Sequence, residues 1–230
     1  MTRGMSFCRF ASVTVLAIGL SNLAATAQTF DLSADFSLKR NPKGVWQYGY
    51  SAGQSLTPAD FRLDRSGDGA RPIGFWHPDR NEGPGPGYYP YVAFNRSKLT
   101  EYGSSNGWAA RAGEVAMEAS NIGQFSIVRF VAPKSGLYQI NARFAGIHFG
   151  LSTTDVHVMH NEVSLFHADI EGYGGDPAFH PVQGAHPNVE YEGRVELLAH
   201  DVVDFAVGYG TNGTHFSDTT GLFAVVQVLK

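Results

Sequence analysis

The chain has a single cysteine, Cys8. A disulfide framework is therefore excluded, and the fold must rest on its own core or on a core plus a metal. Basic residues are in the minority, 17 Lys and Arg against 21 Asp and Glu, and no basic run occurs. That balance speaks against nucleic acid or an acidic membrane surface as partner, and fits uncharged or cationic partners better. The one apolar run, "ASVTVLAIGL", is too short to span a bilayer and no second run follows it, so no membrane insertion is expected. Long segments of helical period are lacking. So are a nucleophile elbow, a phosphate loop, a metalloprotease helix and a paired-carboxylate motif.

What is present at the start is a leader. "MTRGMSFCRF" carries Arg3 and Arg9 and no acid, the apolar run follows, and Ala25, Thr26 and Ala27 give the small-x-small pattern at which signal peptidases cut. Residues 1–27 are expected to be a secretory signal, with Gln28 opening the mature chain in a secreted or periplasmic location. Its removal takes away Cys8 and leaves 15 basic against 21 acidic residues, a formal charge of −6. The remaining residues, 28–230, suffice for one domain with one substantial core.

Short alternating segments broken by glycine, proline and asparagine dominate the rest. "GVWQYGY", "PYVAF", "FSIVRFV", "GLYQINARF", "TTDVHVM", "EVSLF", "RVELLA", "VVDFAVGYG" and "GLFAVVQVL" read as strands. Their spacing predicts an all-β, antiparallel sandwich of jelly-roll type. In "TTDVHVMHNEVSLF" two strands meet at His160, Asn161 and Glu162, where Asn161 can adopt the left-handed conformation of a tight hairpin; Glu162 suits the next position poorly, so a longer turn is open. Residues 51–90, crowded with Gly and Pro, are expected to be irregular, yet they hold Phe75, Trp76, Tyr88 and Tyr89. A loop so rich in aromatics is expected to fold onto the sandwich.

"NPKGVWQYGY", "VRFVAPKSGLYQINARFAG", "TTDVHVMHNEVSLF" and "DVVDFAVGYGTNGTHFSDTTGL", in that order, resemble a group of secreted bacterial proteins similar to jelly-roll carbohydrate-binding modules. Some members of that group carry a C-terminal surface-sorting tail; here the chain reaches Lys230 directly after its last expected strand, without one. The resemblance implies a sandwich that binds an extracellular glycan, and it brings no catalytic residues.

Glycan binding has a recognisable chemistry: the apolar face of a pyranose stacks on an exposed ring while polar side chains meet its hydroxyls. Trp46, Tyr48 and Tyr50 alternate along one strand, and core filling explains their common face without a ligand. Trp76, Tyr88 and Tyr89 in the loop segment, with Trp108, are the better candidates for ligand contact. Asp155 and His157 share a strand face and could present metal ligands together, although no close trio of ligand spacing exists. Asp31 and Asp35 near the start and Asp218 near the end are candidates for a structural calcium joining the two chain ends. A polysaccharide lyase or hydrolase built from Tyr, His and Arg stays open as an alternative, as does a structural or protein-interaction role.

Overall fold

The structure is a computed structural model that describes Met1 and residues 28–68, 72–79, 89–103 and 106–230. Beyond Met1, the leader assigned to residues 1–27 lies outside the described residues, and so does Tyr88. In chain order the strands are β1 (Thr29–Asp31), β2 (Trp46–Ser51), β3 (Phe61–Leu63), β4 (Ser66–Asp68), β5 (Ile73–His77), β6 (Tyr91–Asn95), β7 (Glu101–Tyr102), β8 (Ala109–Ala110) and β9 (Val115–Glu118). They continue with β10 (Ser126–Val131), β11 (Gly136–Gly146), β12 (Ser152–His160), β13 (Val163–Tyr173), β14 (Gln183–His186), β15 (Asn188–Leu197), β16 (Val202–Val207) and β17 (Thr220–Val228). One four-residue helix, α1 (Leu32–Asp35), follows β1.

Two antiparallel sheets face each other, as the alternation predicts. The eight-stranded sheet runs β15-β11-β17-β9-β6-β5-β4, with β1 added to β17; the seven-stranded sheet runs β14-β13-β12-β16-β10-β2-β3. The nine segments read as strands from the sequence all contain strands. Their inward residues make the main core: Trp46 and Tyr48 from β2, Phe130 from β10, Tyr138, Ile140 and Phe144 from β11, and Val203 and Phe205 from β16. Trp46 and Tyr48 are fully buried, so this face of β2 packs inward, and Tyr50 at the strand's end is half-buried. Trp46 meets the Phe130 ring edge-on at 5.4 Å.

One expectation changes and one open choice is settled. Residues 51–90 are not irregular throughout: β3, β4 and β5 lie there, and Trp76 is a strand residue of β5, registered opposite Val92 of β6. Pro72 and Pro78 stand just outside β5, where a missing N–H costs no ladder bond, so a proline-rich neighbourhood is compatible with the strand. The hairpin at Asn161 is the tight one: β12 ends at His160, β13 begins at Val163, and Asn161 has φ 52°. The extra residue is placed in the strand instead, as a register shift between Val158 and Met159.

Candidate functional site

The outer face of the seven-stranded sheet is set by the parity of its strands. Val156 and Val158 of β12 point into the core, so Thr153, Asp155, His157 and Met159 point out. The register places His157 opposite His167 and Asp155 opposite Asp169 of β13, and directly opposed residues share a face. On the other side of β12, His157 faces Ala206 of β16, and Ala206 in turn faces Ile127 of β10. Gly208 follows, its N–H donating to the Asp155 carbonyl at 2.8 Å. Small residues on the middle strand thus lie between larger ones on either side.

Part of this face is sealed. The Phe61 ring lies against Gly49 and under the Arg129 guanidinium, 4.0 Å from its centroid. Arg129 grips Asp204 through two bonds of 2.7 Å, both residues being buried. Burial raises the Asp204 carboxyl despite that pairing, the desolvation cost outweighing the gain from the guanidinium.

The other part is open, a groove of about 360 Å³ lined by Phe125, Tyr209 and His167, by Asp155, Asp169, Gln54 and Thr211, and by glycines 123, 208 and 210. It lies at the end of the sheet where the segments after β2, before β10 and after β16 gather. The glycines are required by close approach. A methyl group on Gly208 would collide with the Asp155 carboxylate, and one on Gly123 (φ 82°) with the Tyr209 ring. Asp155 accepts from His157 Nε2 at 2.6 Å and from the Gly210 N–H at 2.7 Å. Burial pushes its carboxyl up, but these bonds and the histidine outweigh it and hold the group below the usual carboxylate range. His157 stacks on His167 at 4.7 Å with the planes 13° apart, and Phe125 meets His157 edge-on at 5.4 Å. The result is a rigid wall of rings beside fixed acceptors, suited to an amphipathic, hydroxyl-bearing ligand.

The rings singled out in the sequence do not build this groove. Trp76 is 7 % exposed and Trp108 3 %. Trp76 Nε1 donates to the Ser37 carbonyl at 2.7 Å and its ring stacks towards Tyr48, while Trp108 packs on Tyr91 and Phe75. Neither offers a free face, because each fills space within or beside the core. Tyr89 is half-buried against Tyr91 and the edge of His215; burial, and after it the nearby Glu118, push its hydroxyl up to about 12. Tyr88 lies outside the described residues.

Of the three carboxylates assigned to a calcium, Asp31 and Asp35 sit at the two ends of α1 and Asp218 is apart from them. Asp31 registers opposite Val225 of β17, whereas Asp218 precedes that strand's first residue. Seven residues of extended chain place them roughly 20 Å apart. Each has local work: Asp31 caps α1 by accepting from the Ser33 N–H at 2.8 Å, Asp35 accepts from Trp46 Nε1 at 3.3 Å, and Asp218 accepts from the Thr153 N–H at 2.8 Å. A calcium joining the chain ends through these three does not fit this geometry. Among the described residues no group of three or more His, Cys, Asp or Glu is arranged to hold a metal ion, the Asp155 and His157 pair included.

The sequence singled out Asp155 and His157 as a shared face but missed their partners His167 and Asp169 and the ring of Tyr209. The hairpin brings the segment after Asn161 beside "TTDVHVM", but the register shift that sets His157 opposite His167 leaves no mark in the alternation; the available signal was the run of small residues in "DFAVGYG".

Neither a protein-family model nor a curated protein matches the sequence. Among solved structures, the chain is similar to a family 35 carbohydrate-binding module from Clostridium thermocellum, with 15 % identity and a TM-score of 0.33 over 56 % of this chain and 85 % of that one. It is also similar to a family 51 module from Clostridium perfringens in complex with methyl-galactose, with 8 % identity and a TM-score of 0.36 over 87 % of this chain and 100 % of that one. A further similarity is to pika GITRL, with 14 % identity and a TM-score of 0.26 over 45 % of this chain and 77 % of that one.

Proposed function

We propose that the protein is a non-catalytic binding protein that holds an extracellular saccharide in the groove on the outer face of the seven-stranded sheet. The observation that carries this reading is the groove itself, where Phe125, Tyr209 and His167 stand beside Asp155, Asp169 and Gln54 around glycines whose places admit no side chain. Rings supply stacking surface and the carboxylates and amide meet hydroxyls, the division of labour that sugar binding requires. The secretory leader read at residues 1–27 supports work outside the cytoplasm, and no helix among the described residues is long and apolar enough to cross a membrane.

The test is retention of residues 28–230 on a panel of polysaccharides, with Tyr209→Ala as the probe of the groove. Losing one stacking ring should weaken retention by about twofold to tenfold, in line with the roughly 0.5–1.5 kcal/mol of an aromatic contact, with the melting temperature little changed. Undiminished retention in Tyr209→Ala would remove the groove from the site. The Asp155–His157 bond of 2.6 Å favours one second reading, in which that pair is an acid–base couple acting on the bound saccharide. New reducing ends, or unsaturated uronate absorbance, from the same panel would establish it.

A further inference from the structure

We infer that the saccharide held in this groove carries a protonated amine and that Asp169 is its charge partner. The inference rests on the glycan reading above and names the ligand class. It comes from how the carboxylates of the groove are satisfied. Asp155 is already held by His157 and by the Gly210 N–H. Asp169, directly across from it on the same face, is exposed, and its carboxylate accepts no hydrogen bond from any described residue. Glu171, the next outward residue of β13, stands opposite Thr153 and is exposed too.

Asp155 and Asp169 are directly opposed across two strands, and while the charge of Asp155 is met by His157 and the Gly210 N–H, that of Asp169 is met by no described residue. The groove's lining contains no Lys or Arg, and the titratable groups facing Asp169 from β12 are Asp155 and His157. His167, beside Asp169 on β13, is turned into a ring stack with His157. A neutral sugar would leave Asp169 with only hydroxyl donors. An amine answers it with an ion pair, adding charge–charge attraction to the charge-assisted bond that a hydroxyl also makes to a carboxylate. The space, about 360 Å³, accommodates one or two sugar residues, and Asp169 of β13 is part of its lining. The formal charge of −6 on residues 28–230 adds a long-range pull on cations.

The experiment is calorimetric titration with three oligosaccharides of equal length: glucosamine oligomers, their N-acetylated counterparts and glucose oligomers. The expected result is that the amine form binds about tenfold more tightly than the other two, that added salt erodes this preference, and that Asp169→Asn abolishes it. The melting temperature of Asp169→Asn should be unchanged or higher, because a like-charge pair has been removed, which separates lost recognition from lost folding. Equal or weaker binding of the amine form, or a preference that survives Asp169→Asn, would overturn the inference and leave the glycan reading standing. Binding of none of the three, with no retention on any polysaccharide, would overturn both.

Discussion

Glu118 lies beneath Tyr91 and Thr219, whose hydroxyls donate to it at 2.7 and 2.6 Å, and it is 4 % exposed. Burial pushes its carboxyl from 4.5 up to about 7, against the pull of those two bonds. Asp218 is raised in the same way to about 6. Asp64, buried with neither carboxylate oxygen bonded to a described residue, is raised well above the usual range by burial. A carboxyl whose pKa is raised by folding keeps a proton that the unfolded chain has released, so its contribution is fully present below the unfolded value and is lost as pH rises through the folded one. For Glu118 the window runs from 4.5 to about 7, and the loss across it is on the order of 3 kcal/mol. His148 and His215, lowered by burial, act in the opposite sense and weaken the fold as pH falls below 6.5. Asp155, held below its ordinary value, loses its contribution only as pH falls below 3.8. The melting temperature of Glu118→Gln should therefore decline less between about pH 5 and about pH 7.5 than that of the unsubstituted protein. Two parallel profiles would show that Glu118 is not the group releasing a proton on unfolding.

The β12–β13 hairpin is where sequence and structure part company most instructively. Asn161 was legible as the pivot: it has φ 52°, its side chain donates to Asp201 at 3.1 Å, and it accepts from the Val202 N–H at 3.0 Å. Counting outward from that pivot without interruption would set His157 opposite Phe166. The shift after Met159 sets it opposite His167 instead, because Leu165 and Phe166 both pack against the core and one strand cannot turn two successive residues inward without a bulge. The ladder of His157–His167 and Asp155–Asp169 exists only through that bulge, which alternation alone does not reveal. Conversely, β2 and the Tyr138–Phe144 part of β11 were plain from their alternation and β10 and β17 from apolar, β-branched stretches bounded by turn residues, whereas β5, bracketed by prolines, was hidden and Trp76 with it. The pivot itself can be tested. Asn161→Ala should cost about 2 kcal/mol, from a β-carbon in the left-handed region and two lost side-chain bonds. Asn161→Gly should cost less, since it keeps the backbone at ease and loses only the bonds. Equal costs for the two variants in denaturant melts would assign the effect wholly to the side-chain bonds.

At the scale of the whole molecule, a sandwich with no cysteine in residues 28–230 closes through its chain ends, and it does so by strand pairing. β17 takes β9 as neighbour along Thr220–Leu222 and β1 along Val225–Gln227, so the N-terminal strand completes an edge that β9 leaves open. The neighbourhood of the two ends was legible in the sequence, but the means of joining them was not, because the register that separates Asp31 from Asp218 depends on how far along β17 the first strand docks. β1 also couples the layers. Phe30 reaches across to Phe130 of the opposite sheet, ring centroids 5.3 Å apart, and is 8 % exposed. Phe30→Ala should then lower stability by about 3 kcal/mol, the usual cost of emptying a buried aromatic site. Removing residues 28–31 altogether should add self-association at raised concentration, since Val225–Gln227 would present unpaired backbone groups at a sheet edge. Thermal melts and light scattering read the two effects separately. A chelator that lowers the melting temperature more than Phe30→Ala does would show that a bound cation, and not β1, carries the joint between the ends.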